Sequence, residues 1–234
     1  MRPASLLLRT AGWVAALAVL GCARFPYTPA RVAQDPALRE TLEGRLAERY
    51  PAQFRLVQRL ALRALGKQYD MLGYLVVSSP DSFRAVALGE MGGRIFDLSL
   101  DRGAAAIVKK PERMPPRPLV AGVIEDIRHL FLPPEQPLAL AEDAEGAPAL
   151  IGSAGGRTVE YDFGPPERRL TRSVTAEDGQ VVREVVYSGY RSFPGFDVPV
   201  PSRIVVENRR WRYTLEVQIL EIHPGAAAPP SEAP

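Results

Sequence analysis

The sequence contains one cysteine and two histidines among its 234 residues. A single thiol cannot form an internal disulfide, and Cys22, His129 and His223 do not have the spacing of a metal site. The chain also lacks a GxSxG elbow, a P-loop and a GxGxxG turn. We therefore expect no enzymatic activity, with no catalytic residue, no metal and no cofactor.

The N-terminal segment has the layout of a bacterial secretory signal. Arg2 and Arg9 are the only charged residues before the cysteine, and an uncharged, mostly apolar run follows from Thr10 to Gly21. This run is too short to cross a bilayer as a helix, which takes about 20 apolar residues. The pattern predicts a signal peptide over residues 1–21.

The sequence Val19-Leu20-Gly21-Cys22 resembles a lipobox, in which the cysteine receives a diacylglyceryl group before cleavage. By this resemblance, Cys22 is the lipidation site, and its acyl chains attach the protein to a membrane. The next residue is Ala23 and not aspartate, which by the same resemblance favours the periplasmic face of the outer membrane. The alternative is a plain signal peptide with a chance cysteine.

The charge balance of the chain excludes one class of partner. The predicted signal holds two of the 29 basic residues and none of the 27 acidic ones, so the predicted mature chain has 27 of each. Such a chain has no overall electrostatic attraction for nucleic acid, and we expect no nucleic-acid partner. After the signal, we predict a lipidated tether over 22–35, one domain over 36–223 and a disordered tail over 224–234.

Alternation of apolar and polar residues predicts strands through most of the middle of the chain. The apolar face of one strand consists of Trp211, Tyr213, Leu215, Val217 and Ile219, and that of another consists of Phe96, Leu98 and Leu100. On the second strand, Asp97 and Asp101 are expected to face solvent. Asp178-Gly179 lies between two strand-like runs and predicts a hairpin. The segment FRLVQRLALRAL fits both strand and helical spacing, and periodicity does not decide between them.

Two helices are predicted. Asp35-Pro36 suits a helix start, and Leu38, Leu42 and Leu46 then recur every four residues. The second helix has an apolar side between residues 119 and 131, with His129 expected on its polar side. With about ten or eleven antiparallel strands, the pattern predicts an α+β fold in which a curled sheet and a helix enclose an apolar space.

The chain resembles the LolA/LolB class of lipoprotein carriers in its lipobox, its mid-chain helix and the segments FRLVQRLALRALGKQYDMLGYLVV, LGEMGGRIFDLSLD and VPVPSRIVVENRRWRYTLEVQIL. More specifically, it resembles a LolB-like lipoprotein family of unknown function that is often encoded near polyketide or aryl-polyene genes. The resemblance implies an unclosed half-barrel with a helical lid, in which FRLVQRLALRAL is a strand.

The same resemblance implies a function and its residues. The protein would bind acyl chains of a lipoprotein or another lipid, and its partners would be the membrane, this cargo and a periplasmic LolA-like carrier. The two apolar strand faces given above are the candidate lipid-binding residues. Met91 is the candidate membrane-insertion residue, and its alternative is to fill a gap at the sheet edge.

Two other functions remain as alternatives. A structural accessory lipoprotein would dock on an envelope or biosynthetic complex without binding lipid, and its concave face would be filled by side chains. A lipid hydrolase would need a nucleophile and a base, for which the sequence offers no candidate pair.

Overall fold

The computed structural model describes residues 26–28, 31–64, 66–109, 116–134, 136–143 and 146–225, with the backbone alone for 116–120. The predicted signal peptide and Cys22 lie outside the described residues. The first half of the chain contains β1 (Arg31–Val32), α1 (Pro36–Ala47), β2 (Phe54–Ala64), β3 (Lys67–Ser79), β4 (Ser82–Gly89), β5 (Arg94–Asp101) and β6 (Ala104–Lys109). The second half contains α2 (Pro116–Phe131), β7 (Ala139–Glu142), β8 (Pro148–Ala154), β9 (Arg157–Gly164), β10 (Arg169–Glu177), β11 (Gln180–Arg191), β12 (Val200–Asn208) and β13 (Tyr213–Pro224).

The described strands form one antiparallel sheet in the order β1-β7-β8-β9-β10-β11-β12-β13-β2-β3-β4-β5-β6. The sheet curls without closing, so the predicted α+β half-barrel is confirmed. It has thirteen strands, whereas ten or eleven were predicted. β1 and β7 contain two and four residues, which is too short for alternation to reveal them.

The structured part of the chain begins earlier than predicted. Pro26 forms an isolated bridge with Gln180, and β1 pairs with β7. The boundary predicted at residue 36 is therefore too late, because part of the predicted tether joins the sheet.

The local predictions for α1 and β2 are confirmed. The Asp35 carboxylate accepts a hydrogen bond from the Leu38 amide at 3.0 Å, and Pro36 occupies the first helical position. Leu42 and Leu46 are buried on one side of this helix. FRLVQRLALRAL supplies β2, so its strand interpretation is correct.

Five turns lie at one end of the sheet, which we call the tip end. They connect β2 to β3, β4 to β5, β8 to β9, β10 to β11 and β12 to β13. Asp178-Gly179 makes the predicted hairpin turn between β10 and β11, with φ values of 49° and 72°. The bridge from Pro26 to Gln180 brings the beginning of the described chain to this same end.

Helix α2 lies across the concave face of the sheet. Near the tip end, a Cβ atom at Gly122 would lie 3.7 Å from the indole Cδ1 of Trp211. Towards the other end, the rings of Phe131 and Phe54 have centroids 6.3 Å apart. Within the described residues, neither α1 nor α2 has the length and apolar character needed to span a membrane.

Candidate functional site

The predicted lipid-binding residues of β5 and β13 lie on the concave face. Leu215 and Val217 lie opposite Leu62 and Leu60 of β2, and cross-strand partners share a face. Tyr213 and Ile219 have the same alternation within β13. Phe96, Leu98 and Leu100 of β5 lie opposite residues of β4 that continue this face. The structure therefore brings seven of the eight candidates to one face.

Trp211 is the exception, and its predicted position in the strand is wrong. It lies in the turn before β13, and 36% of its surface is exposed. Its amide donates a 2.9 Å hydrogen bond to the Asn208 side chain, and Arg212 adopts a left-handed φ of 55°. The strand alternation consequently begins only at Tyr213. Trp211 instead packs beside Gly122 of α2.

Much of the concave face is closed by the protein's own side chains. Leu98, Val217 and Ile219 are at most 1% exposed. The two helices contribute buried residues to the same core: Leu42, Leu46, Ile127, Leu130 and Phe131. The closed part of the face has the burial expected of a packed core, which leaves no room for an acyl chain.

A second part of the concave face, nearer the tip end, retains access to solvent. Leu60, Leu62, Met71 and Leu215 are half-buried, and Tyr69 is 41% exposed. The pairings Leu62–Leu215, Leu62–Tyr69 and Leu60–Met71 make these five residues one continuous surface, which we call the mouth patch. An accessible apolar surface inside a curled sheet is where an acyl chain could be accepted.

A polar cluster joins α2 to the sheet beneath the helix. The Arg183 guanidinium lies 3.1 Å from the Asp126 carboxylate and 3.2 Å from that of Glu125. Glu125 also pairs with Arg157 at 2.7 Å, and the Tyr213 hydroxyl donates to Asp126. These contacts hold α2 against the sheet at the inner edge of the mouth patch.

His129 belongs to the same interface: the side of α2 that was predicted to be polar faces the sheet at this residue. It is 8% exposed, and its Nε2 atom shares a 2.7 Å hydrogen bond with the hydroxyl of Ser173. Its ring stacks on Tyr161 with centroids 5.8 Å apart. Ser173 is 0% exposed, so this serine–histidine contact is closed to a substrate. The concave face opposite α2 carries polar partners, which explains why the helix turns a polar residue inward.

Burial controls the protonation of this cluster. Burial raises the pKa of Asp126 to about 6, against the opposing effects of Arg183 and the hydrogen bond from Tyr213. Burial, followed by the positive charges of Arg183 and Arg49, holds the pKa of His129 well below its ordinary value. His129 is therefore neutral at neutral pH. This cluster was not predicted from the sequence. The signal for Arg183 is the alternation of its strand, which places it on the same face as the inward-facing Val185 and Tyr187.

The candidate Met91 lies in the turn before β5, and Asp97, which was predicted to face solvent, lies on β5. Met91 is 98% exposed at the tip of the β4–β5 turn, so the alternative that it fills a gap at the sheet edge is wrong. Asp97 is 0% exposed, which corrects its predicted exposure to solvent. The Asp97 carboxylate accepts hydrogen bonds from the guanidinium groups of Arg84 and Arg94, each at a nitrogen–oxygen distance of 2.9 Å. These ion pairs compensate for its burial.

A curled, unclosed antiparallel sheet with a helix across its concave face defines the LolA-like class of folds. A LolA superfamily protein from Nitrosomonas europaea has this fold, with a TM-score of 0.54 and 9% identity over 81% of this chain and 94% of that one. A DUF1329 family protein from Desulfovibrio piger gives a TM-score of 0.51 and 12% identity over 83% and 96% of the two chains. Residues 55–221 match the family described as "Protein of unknown function (DUF3261)", and the chain belongs to this family. No curated protein matches it by sequence.

Proposed function

We propose that the protein is a lipid-anchored lipoprotein of the outer membrane that binds acyl chains of a lipoprotein or another lipid on its concave face, for transfer or insertion. The single observation that carries this proposal is the mouth patch, where apolar side chains inside the half-barrel remain accessible. The LolA-like fold supports the same proposal. The lipid or lipoprotein would arrive from a periplasmic LolA-like carrier.

Each part of the molecule has a role in this proposal. An acyl chain enters between the mouth patch and α2, where Val123 and Ile124 are partly buried against the core. Met91, exposed at the tip end, contacts the membrane during insertion. Acyl groups on Cys22 hold the protein in place, and the mass of the N-terminal peptide isolated from membranes checks this modification.

A docking lipoprotein that binds no lipid is the second candidate. The closed burial of Leu98, Val217 and Ile219 favours it, because a protein that only docks needs no space on its concave face. The two candidates differ in what happens at the mouth patch when lipid is added.

Binding of a fatty acid tests the proposed function. Trp211 is the only tryptophan after residue 22, and it lies beside α2 at the tip end. A chain starting at residue 23, which retains every described element, is titrated with oleate. We expect a saturable change in Trp211 emission. Leu215→Glu should weaken binding by about tenfold or more, because it places a charge where the acyl chain lies.

Gln218→Glu is the matched control, since Gln218 is exposed on the convex face of the same strand. It adds the same charge and should leave the titration unchanged. A flat titration of the folded protein would favour the docking candidate instead.

A further inference from the structure

A groove of about 660 Å³ lies between two neighbouring hairpins at the tip end. One wall is the turn between β2 and β3, and the other is the turn between β12 and β13. Its lining includes four cationic residues, Arg63, Lys67, Arg209 and Arg212, and one acidic residue, Glu207. We call this the basic groove.

The positive charge of the basic groove is only partly compensated. Glu207 pairs with Arg209 at 3.0 Å, and Arg209 also pairs with Glu184. Arg63 donates a 3.1 Å hydrogen bond to the neutral side chain of Gln68. Lys67 and Arg212 are exposed and form no ion pair or side-chain hydrogen bond within the described part of the chain.

The surrounding carboxylates are committed to other groups. Glu216, which lies further along β13, pairs with Arg203 at 2.7 Å, and Asp70 accepts hydrogen bonds from Gln68. Among the described residues, Lys67 and Arg212 therefore face an open space without an acidic partner, and Arg63 acts only through space on Glu216, which pairs with Arg203. The complementary ligand is an anion such as a phosphate group, whose oxygens accept charge-assisted hydrogen bonds from these side chains.

The place of the basic groove in the molecule indicates where that anion comes from. The Tyr27 amide donates to the Gly179 carbonyl at 3.0 Å, so the described chain begins at the β10–β11 turn. This turn adjoins the groove, since Arg210 of the β12–β13 turn pairs with Glu177 at 2.9 Å. Cys22 precedes Pro26 by four residues, which span at most about 14 Å when fully extended. An anchor at Cys22 thus holds the tip end close to a bilayer surface.

We propose that the basic groove, through Arg63, Lys67 and Arg212, binds the anionic phosphate headgroup of a membrane lipid. The proposal rests on the lipid anchor of the proposed function and adds a second contact with the membrane. The groove reaches Tyr213, whereas Arg63 lies on the opposite face of β2 from Leu62 of the mouth patch, so the basic groove is separate from the proposed acyl site.

Native mass spectrometry of the full chain, isolated from membranes in a neutral detergent, tests the proposal. Equal amounts of phosphatidylglycerol and phosphatidylcholine with identical acyl chains are added. Each basic side chain beside an anionic lipid surface contributes about fivefold to binding, and salt screens part of this. We expect phosphatidylglycerol to be bound about tenfold more than phosphatidylcholine.

A triple variant, Arg63→Gln with Lys67→Gln and Arg212→Gln, should bind the two lipids in equal amounts. The matched control is Arg55→Gln with Arg59→Gln and Arg102→Gln, which removes the same charge at exposed positions outside the groove. The control should retain the preference. The proposal would be overturned if the unmodified protein bound the two lipids equally. It would also be overturned if both triple variants lost the preference for phosphatidylglycerol to the same extent.

A soluble arm separates a lipid headgroup from a free anion. Glycerol 3-phosphate should bind at least about tenfold more weakly than phosphatidylglycerol, because it lacks the acyl chains that concentrate the lipid in the detergent micelle around the protein's anchor. Binding of equal strength would overturn the lipid assignment in favour of a small-anion site. Oleate is itself an anion, so the oleate titration is repeated on the triple variant. A Trp211 response that persists in the triple variant and weakens in Leu215→Glu belongs to the proposed acyl site and not to the basic groove.

Discussion

Replacement of Arg183 by methionine is expected to lower the free energy of unfolding by about 3–5 kcal/mol. The Arg183 side chain is 3% exposed and pairs with both Glu125 and Asp126 of α2. Methionine has a similar length and carries no charge, so it leaves the buried Asp126 carboxylate without its cation. Glu125 retains Arg157, which limits the damage to one carboxylate. Chemical denaturation at neutral pH measures the effect.

Arg203→Met is the matched control for this experiment. Arg203 pairs with Glu216 at 2.7 Å, but the two side chains are 56% and 40% exposed. Exposed pairs contribute about 0–1 kcal/mol, so this variant should stay within about 1 kcal/mol of the unmodified protein. If the two variants lose the same stability, the cluster beneath α2 does not hold the helix in the way we describe.

Leu98→Ala is expected to cost about 2–5 kcal/mol of unfolding free energy in the absence of lipid. Leu98 is 0% exposed within the hydrophobic core, and its truncation leaves a cavity that the surrounding strands fill only partly. Leu62→Ala, at the half-buried mouth patch, is the comparison and should cost about 1–2 kcal/mol. Denaturation of lipid-free protein gives both values.

The same pair of variants distinguishes core from binding surface. Oleate binding should weaken in Leu62→Ala and persist in Leu98→Ala, provided that the latter remains folded at the temperature of the titration. The opposite pattern, with little loss of stability in Leu98→Ala and loss of its oleate response, would place the acyl chain in the region of β5 that we describe as closed.

The fold was largely predictable because its local signals agree with its packing. Tyr213 to Ile219 alternate in a strand that buries one face, and Asp35-Pro36 caps the first helix as expected. The alternation could not place Trp211, because a turn stabilised by Asn208 makes the strand begin two residues later than periodicity suggests.

The site was less predictable, because it depends on which surfaces face each other. The sequence of α2 distinguishes an apolar side from a polar side, but it does not reveal that Ser173 and Arg183 lie on the sheet beneath it. The basic groove combines residues of β2, β3 and the β12–β13 turn, which no local pattern connects. Only the sheet order brings them together.

That sheet order also affects how the chain can fold. The pairing of β2 with β13 places Ala64 opposite Tyr213 and Phe54 opposite Pro224, so it joins residues about 150 or more positions apart. Most other neighbouring strands are successive in the chain and can form hairpins as soon as they are available. The entropy of closing this long loop must be overcome before the two halves of the sheet meet. As the chain is synthesised from its N-terminus, β2 therefore acquires its second neighbour only after the last strand has emerged, and folding of the half-barrel finishes at its C-terminal strand.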